Sequence, residues 1–264
     1  MPVQNSSHNA VHFIRKGHFK IWYVNSRKVS PLLGRMLPNP EAVFGEANVL
    51  FGQGSGCEAF HTRLSGHDYF LKRYSCPGWW YRLKNAFRRS RARRVWSLSH
   101  RLLRFGLPVA RPLILFEERR YRLLGPAYLV TEFLSDHRTL TDLWNTIGRE
   151  EQDVLVRHTA TALAQIHKRG YIHGDTNWDN ILFNSQAITP KIRFVDLDCA
   201  RRFLKFSYKR AERDLGHFVR DLERDCNQGA DRVDLFVSTW RSVIKKQPSR
   251  DRPDDTSQSM GMDV

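Results

Sequence analysis

The pattern of hydrophobic and polar positions changes character near residue 134. Before that point, short alternating or continuously apolar runs predict strands within residues 10–35, 42–74, 110–120 and 125–134, with one amphipathic helix over 84–105. The turn-prone pair Ser30-Pro31 is expected to close the first strand region. The first half of the chain is therefore predicted to be rich in β-structure with a single helix.

After residue 134 the apolar positions follow helical spacing. Helices are predicted within 140–169, where Gly170 supplies a stop, and over 215–222 and 233–243, with two short strands near 181–183 and 192–195. From about residue 247 the chain is polar and contains prolines, and we expect a disordered tail.

This order predicts an α+β fold of two lobes. We assign residues 1–40 to an N-terminal extension of unknown role, 41–134 to a β-rich N-lobe, 135–246 to a mainly helical C-lobe and 247–264 to the tail. A hinge is expected near residues 132–136, and a ligand cleft is expected between the lobes.

The composition of the chain limits the cellular compartment and the binding partners that we expect. The four cysteines form no CxxC pair and have no zinc-like spacing, which favours a reducing, cytosolic compartment. The first residues lack the apolar core of a signal peptide, and no stretch has the length of a membrane-spanning helix. A formal net charge of +16 predicts affinity for a polyanion, either nucleic acid or an acidic membrane surface.

The segment 171–198 contains the strongest chemical signal. In YIHGDTNWDNILF followed by IRFVDLD, an Asn stands five residues after an Asp, and a second Asp ends an apolar strand. Protein kinases have this signature. Phosphoryl transfer needs a carboxylate to accept the proton of the attacking hydroxyl, so Asp175 is the predicted catalytic base. It also needs oxygen ligands for Mg²⁺ beside the phosphates of ATP, and these are predicted to be Asn180 and Asp196.

Each of these residues is weak support when taken alone, because a single Asp or Asn on a loop is commonly a turn residue or a helix cap. Lys72 adds to the signature, since it lies inside the apolar strand YFLKRY and an interior lysine is costly unless it meets anions. We predict that Lys72 contacts the nucleotide phosphates. The alternative is a lysine on the solvent face of an edge strand.

Gly52, Gly54 and Gly56 precede Lys72 and allow the close backbone approach that covers phosphates, although a simple hairpin turn would use the same glycines. The strand AYLVTEFL is typical of the segment that leads into a kinase hinge. Backbone groups at Glu132 and Leu134 are the predicted adenine contacts, while an ordinary buried strand would have the same pattern.

Over most of residues 45–225 the sequence resembles the lipopolysaccharide core kinases of Gram-negative bacteria. The resemblance depends on LKRY, SRARRVW with FGLPVARPL, GPAYLVTEFL, HGDTNWDNILF and VDLD, which replaces the DFG of protein kinases. It implies a protein-kinase-like fold and ATP-dependent phosphorylation of a Kdo or heptose hydroxyl on a lipid-linked acceptor. It also implies a cytoplasmic location, peripheral on the inner membrane.

Two departures from the general kinase pattern affect the expected mechanism. No acidic residue occurs between Arg73 and Phe116, where the helix glutamate that pairs with the lysine is expected, and Val95 stands near that position. Lys72 must then be oriented by another group, such as Asp196 or the phosphates. Gly174 replaces an arginine, which predicts activity independent of a phosphorylated activation loop.

Residues 79–96 interleave aromatic and basic side chains. An aromatic lead followed by arginines suits an anionic interface, so we predict that this segment contacts the inner membrane. The alternative is a solvated basic helix with its aromatics in the core.

Three other functions fit part of the pattern. A small-molecule kinase of the aminoglycoside or choline type would share the catalytic residues and differ in its acceptor. A catalytically inactive kinase fold acting as a membrane scaffold would explain the absent helix glutamate. Nucleic-acid binding has only the charge in its favour, lacks any recognised motif and is not expected.

Overall fold

The computed structural model describes residues 10–45, 49–54, 56–76, 78–184, 190–203, 206–225 and 229–245. The predicted disordered tail lies outside the described residues. The described chain forms a β-rich N-terminal lobe and a mainly helical C-terminal lobe, which confirms the predicted α+β, two-lobed fold.

One antiparallel sheet of seven strands forms the N-terminal lobe, in the order β1-β2-β6-β7-β5-β4-β3. The strands are β1 (Val11–Lys16), β2 (Phe19–Val24), β3 (Val49–Gly54), β4 (Cys57–Leu64), β5 (His67–Tyr74), β6 (Pro112–Arg120) and β7 (Leu123–Glu132). Because β2 pairs with β6, residues 11–24 belong to the same sheet as the predicted N-lobe. The division at residue 40 stays a prediction.

The alternation of side chains gives this sheet two buried faces. On β5, Tyr69 and Leu71 pack into one core cluster, while Tyr74 packs into the other. Lys72 has the same parity as Tyr74, so its side chain points toward the C-terminal lobe rather than to solvent. This register decides between the two interpretations of Lys72, which is only 9% exposed.

Two helices cover the face that carries Tyr69 and Leu71. They are α1 (Val29–Met36) and α2 (Ala42–Gly45). The prediction of a turn at Ser30-Pro31 is wrong, because both residues lie in the first turn of α1. Proline is tolerated there, since the first backbone N–H groups of a helix have no intrahelical partner.

Two more helices lie before β6, namely α3 (Gly78–Lys84) and α4 (Arg91–Arg104). A continuous helix over 84–105 is therefore wrong. The side chain of Ser90 accepts a hydrogen bond from the backbone N–H of Arg93 and caps a new helix start. Within the described residues, the N-terminal half holds four helices rather than the single one predicted.

The C-terminal lobe is built from helices and two small sheets. Its helices are α5 (Leu140–Trp144), α6 (Arg149–Lys168), α7 (Tyr208–Asp225) and α8 (Gly229–Lys245). One sheet has the order β11-β10-β8 and the other pairs β12 with β9, where the strands are β8 (Arg138–Thr139), β9 (Tyr171–Ile172), β10 (Ile181–Asn184), β11 (Lys191–Phe194) and β12 (Arg201–Arg202).

The core of the C-terminal lobe continues into the cleft-facing side of the large sheet. Val95 and Trp96 of α4, Leu129 of β7 and Phe194 of β11 belong to one buried cluster with Trp240 of α8. Burial of this shared apolar surface holds the lobes together. No helix in the described part of the chain is both long enough and apolar enough to cross a membrane.

Candidate active site

The loop between β9 and β10 carries His173, Asp175 and Asn180, and the buried carboxylate of Asp214 on α7 holds it from below. Oδ2 of Asp214 accepts the backbone N–H of His173 at 2.8 Å, and Oδ1 accepts that of Gly174 at 2.6 Å. Burial alone would raise the pKa of Asp214, but the hydrogen bonds from His167 and these two amides outweigh burial and lower it. The carboxylate therefore stays ionised beneath the loop.

A buried chain of hydrogen bonds extends from Asp214 to α8. Nε1 of Trp240 donates to Nδ1 of His167 at 2.9 Å, and Nε2 of His167 lies 3.0 Å from Oδ2 of Asp214. An indole nitrogen can only donate, so Nδ1 of His167 accepts and Nε2 carries the proton. His167 is thus bonded at both ring nitrogens, and it orients the carboxylate that holds the loop.

Gly174 adopts a backbone conformation that favours glycine. Its φ is +84°, and a Cβ built on it would lie 2.5 Å from the carbonyl oxygen of Cys199. A side chain here would push the loop away from the segment after β11. The arginine of protein kinases therefore has no room at this position.

Asp175 has a hydrogen-bond donor at each carboxylate oxygen. Nδ2 of Asn177 lies 3.1 Å from Oδ1, and Nδ2 of Asn180 lies 3.2 Å from Oδ2 and 3.0 Å from the backbone oxygen of Asp175. The side chain is 36% exposed. These two amides orient the carboxylate, and among the described residues no lysine or arginine lies at hydrogen-bond distance from it.

The hairpin of β10 and β11 brings Asn180 and Asp196 together. Ile181 pairs with Phe194, and the backbone N–H of Val195 donates to the carbonyl of Asn180 at 3.0 Å. The side chains of Asn180 and Asp196 therefore leave the chain at the same end of the hairpin. Asp196 has a φ of +53°, an uncommon conformation for a residue with a side chain.

Lys72 reaches across from the N-terminal lobe and bridges two carboxylates. Its Nζ lies 2.8 Å from Oδ1 of Asp196 and 3.1 Å from Oδ2 of Asp198. Burial alone would lower the pKa of Lys72, but Asp198 and Asp196 outweigh burial and raise it. The lysine is therefore a cation at the end of the cleft where the metal is predicted, which we call the metal end.

Asp198 is itself bound by two further groups. The hydroxyl of Tyr74 donates to Oδ1 at 2.9 Å, and Nε of Arg91 lies 3.1 Å from the same oxygen. Burial, together with the negative charge of Asp198, raises the pKa of Tyr74 well above its ordinary value, so its hydroxyl stays protonated and donates. Asp198 thus holds Lys72 in place, although it does not lie on the helix that supplies a glutamate for this purpose in protein kinases.

The position of Val95 agrees with the absence of a helix glutamate. Val95 on α4 is 8% exposed and packs in the shared core. One turn earlier on α4, Arg91 reaches Asp198 instead. The orienting carboxylate for Lys72 therefore comes from the segment after β11 rather than from α4.

The predicted nucleotide contacts lie on the N-terminal lobe. Gly52 and Gly54 are within β3, paired with Ala59 and Cys57, while Gly56 occupies the following turn with a φ of +76°. The segment is thus a tight hairpin next to the strand of Lys72, and its role in covering phosphates stays a prediction.

At the end of β7, the backbone N–H of Glu132 donates to the carbonyl of Arg111 at 2.9 Å, and Oε1 of Glu132 accepts the N–H of Arg111 at 2.8 Å. The carbonyl of Leu134 accepts from His137 at 3.0 Å. These bonds fix the connection between the lobes, and the contacts of Glu132 and Leu134 with adenine stay predictions.

Sequence reasoning did not identify several residues that the structure adds to the site: Tyr74, Arg91, Asn177, His167, Asp214 and, as a partner of Lys72, Asp198. Asp214 carried a readable signal, because it interrupts the apolar face of α7 formed by Ala211, Leu215 and Phe218. A charged residue on such a face must have buried partners. Arg91 and Tyr74 carried no comparable signal.

The donor set at the metal end fits a hard divalent cation. Asn180 and Asp196 offer amide and carboxylate oxygens, and burial, which alone would raise the pKa of Asp196, is outweighed by Lys72, which lowers it. Within the described residues no group of three or more His, Cys, Asp or Glu side chains could hold a metal ion alone. A metal here would take its other ligands from phosphates and water, as Mg²⁺ commonly does.

A two-lobed fold with a strand lysine facing a catalytic-loop aspartate, an asparagine and a strand-end aspartate defines a kinase. A family model described as "Lipopolysaccharide kinase (Kdo/WaaP) family" matches residues 40–240. The chain therefore belongs to the lipopolysaccharide kinase (Kdo/WaaP) family, as the sequence resemblance predicted.

A solved structure with the same fold is described as "WaaP in complex with acyl carrier protein". It is 18% identical, with a TM-score of 0.58, and the match covers 76% of this chain and 81% of that one. A search of curated proteins found no match.

Proposed function

We propose that this kinase transfers the γ-phosphoryl group of ATP, with Mg²⁺, to a Kdo or heptose hydroxyl of the lipopolysaccharide inner core. The observation that carries the proposal is the convergence of Lys72, Asp175, Asn180 and Asp196 on one cleft in a member of this family. Phosphoryl transfer depends mostly on positioning and electrostatic stabilisation, and these four side chains supply both.

Asp175 acts as the base at the acceptor end. Its carboxylate is held by Asn177 and Asn180 and is open to solvent on its remaining side. The acceptor hydroxyl donates to this carboxylate and loses its proton as its oxygen attacks phosphorus.

Lys72, Asn180 and Asp196 act at the nucleotide end. Lys72 is a buried cation next to Asp196 and turns to the phosphates when nucleotide binds. Asn180 and Asp196 would hold Mg²⁺, which supplies neutralisation of the charge on the transferred group. Asp198 keeps Lys72 near this position when Asp196 is bound to the metal.

A surface of exposed aromatic and basic residues supports attachment to the cytoplasmic face of the inner membrane. Trp79 and Trp80 of α3 are 57% and 76% exposed, and Phe87 in the turn before α4 is 84% exposed. We call residues 79–88 the aromatic edge. Val95 and Trp96, in the second part of the predicted membrane segment, are buried in the core, so the proposed contact is limited to the aromatic edge.

The turn that carries Phe87 is held by Arg119, which pairs with the buried carboxylate of Glu117. Arg119 lies 2.9 Å from Glu117 and donates to the carbonyls of Asn85 and Ala86 at 3.2 and 2.8 Å. These bonds fix the backbone of the turn beside the exposed ring of Phe87. Aromatic side chains favour the headgroup level of a bilayer, and nearby arginines favour anionic lipids.

Sedimentation with liposomes tests the membrane contact. We expect binding to vesicles that contain anionic lipid, weaker binding at high salt, and loss of binding when Trp79, Trp80 and Phe87 are all replaced by alanine. Phe13→Ala, a change at an exposed aromatic of β1, is the matched control. Binding that is absent from the wild type or insensitive to salt contradicts this part of the proposal.

Phosphate transfer tests the catalytic part. Purified core glycolipid, small amines and free sugars are incubated with ATP and Mg²⁺, and phosphorylated products are identified by mass spectrometry. Transfer to the glycolipid supports the proposal, whereas transfer only to small amines would assign a small-molecule kinase. Equal background turnover in the wild type and in Asp175→Ala would point to the scaffold role.

A further inference from the structure

One face of α7 presents two arginines and a histidine beside Asp175. Arg213, His217 and Arg220 are spaced so that they share one face of the helix, and we call them the α7 cationic face. Nδ1 of His217 lies 4.0 Å from Oδ1 of Asp175, and the two side chains are 37% and 36% exposed. The catalytic base and this face therefore open to the same solvent region.

The guanidinium of Arg220 sets the hydrogen-bonding role of His217. Nη2 of Arg220 lies 2.7 Å from Nδ1 of His217, and Nε donates to the carbonyl of Gly216 at 3.2 Å. Arginine has donors only, so Nδ1 of His217 accepts this bond. The bond thus holds the His217 ring beside Asp175.

This pair retains donors for a ligand. A guanidinium has five N–H groups, and the bonds to His217 and Gly216 occupy only two of them. Space is also open beside the pair, because a Cβ built on Gly216 would meet nothing within 4 Å. The surface of α7 next to His217 is therefore not covered by other protein atoms at Gly216.

Distance links this face to the acceptor. A hydroxyl oxygen that donates to Asp175 lies about 3 Å from its carboxylate, and hence within about 7 Å of His217. A substituent one or two bonds from the reacting carbon of a sugar covers that separation. Asp175 repels a negative substituent there, but the positive charges of Arg220 and Arg213 oppose that repulsion.

We propose that the α7 cationic face binds an anionic substituent, a carboxylate or a phosphate, of the sugar whose hydroxyl is phosphorylated. This inference rests on the proposed function and adds that the acceptor sugar itself carries a negative charge. Under this proposal the cationic residues of the cleft bind different ligands. Lys72 binds the nucleotide, whereas Arg220, with His217, binds the acceptor.

Calorimetric binding of paired sugars, one with and one without an anionic substituent, tests the proposal. The pairs are the methyl glycoside of Kdo with its methyl ester, and heptose 7-phosphate with heptose. The proteins are the wild type, Arg220→Gln, Arg220→Lys and the control Arg241→Gln, which removes one exposed arginine of α8. Thermal unfolding of each variant checks that the fold is intact.

We expect Arg220→Gln to weaken binding of at least one charged sugar by about tenfold, because a charge-assisted hydrogen bond is lost. Its neutral partner should bind with less than twofold change, Arg220→Lys should recover part of the affinity, and Arg241→Gln should resemble the wild type. The charged sugar that shows the loss identifies the anion as carboxylate or phosphate.

Equal losses for the charged and neutral members of both pairs, or no loss for either charged sugar, would overturn the proposal. Because binding is measured without turnover, the result is independent of phosphate transfer. A charge-selective loss in a protein that transfers no phosphate would uphold the anion site and refute the proposed function.

Discussion

The two ends of the cleft hold their carboxylates in opposite ways. At the proposed nucleotide end, Asp196 and Asp198 are paired with Lys72, and Asp198 is bound further by Arg91 and Tyr74. At the proposed acceptor end, Asp175 has only amide donors at hydrogen-bond distance among the described residues, and it is 36% exposed.

This difference fits the two proposed tasks, metal and phosphate binding at one end and proton transfer at the other. A group that holds a metal and phosphates must stay charged and fixed, and neighbouring cations achieve both. A base must accept a proton, and a cation in direct contact would oppose that step. The loop that carries Asp175 is held instead by Asp214, which accepts hydrogen bonds from the backbone of that loop.

Removal of the base should give the largest effect on activity. We expect Asp175→Asn to lower kcat by roughly 10³-fold, since general base catalysis commonly contributes 10²–10⁴-fold. Nucleotide affinity should stay within twofold, because Asp175 does not contact Lys72 or Asp196. Single-turnover transfer and nucleotide titration measure the two quantities. A parallel loss of nucleotide affinity would show that the two ends are not separate.

Loss of the carboxylate below the loop should affect stability with a defined pH dependence. The pKa of Asp214 is lowered in the folded protein relative to about 3.9 in the unfolded chain. Its contribution is therefore present above pH 4 and is lost as the pH falls further through the folded-state pKa.

Asp214→Asn should melt at a lower temperature at pH 7 and show a flatter dependence of Tm on pH below 4. Differential scanning calorimetry from pH 7 to 3 measures both. A variant whose Tm falls with acid as steeply as that of the wild type would contradict the role assigned to this carboxylate.

Loss of the second lysine partner should have an intermediate effect. In Asp198→Asn, Lys72 keeps only Asp196 as an ionised partner and competes with the metal for it. We expect the Mg²⁺ concentration for half-maximal activity to rise about tenfold, a change that corresponds to about 1.4 kcal/mol. Arg91→Gln, which leaves Asp198 and Lys72 in place, should shift the Mg²⁺ requirement less. An unchanged requirement in Asp198→Asn would remove Asp198 from the mechanism.

The smallest effect is expected at the amide that orients the base. Asn177→Ala removes one neutral hydrogen bond to Asp175 and should lower kcat by roughly 5-fold, in line with about 1 kcal/mol for such a bond. KM for ATP should not change. A loss as large as that of Asp175→Asn would mean that Asn177 takes part in the proton transfer itself.

Part of this site could be predicted because its residues lie close together in the sequence. Asp175 and Asn180 lie on one loop, and the short hairpin that follows returns Asp196 to the same end, so their proximity follows from a few residues of chain. The apolar run YFLKRY likewise allowed a Lys72 in contact with anions to be predicted. The start of α4 was missed, although Ser90 followed by an arginine-rich helix offered a capping signal.

Contacts between distant segments had no such signal. Tyr74 and Arg91 meet Asp198 from the other lobe, and Trp240 reaches Asp214 through His167 from the last helix described. Any of several arginines near the start of α4 could have faced the cleft. The rotation of that helix against the sheet selected Arg91.

The amino-acid sequence by itself determined the division into a β-rich half and a mainly helical half, the kinase signature and the family, because these depend on periodicity and on residues close together in the chain. Only the tertiary structure decided which cations meet which carboxylates. Such pairs form between side chains brought together by the packing of whole helices and sheets, and their energies depend on a burial that no local pattern specifies.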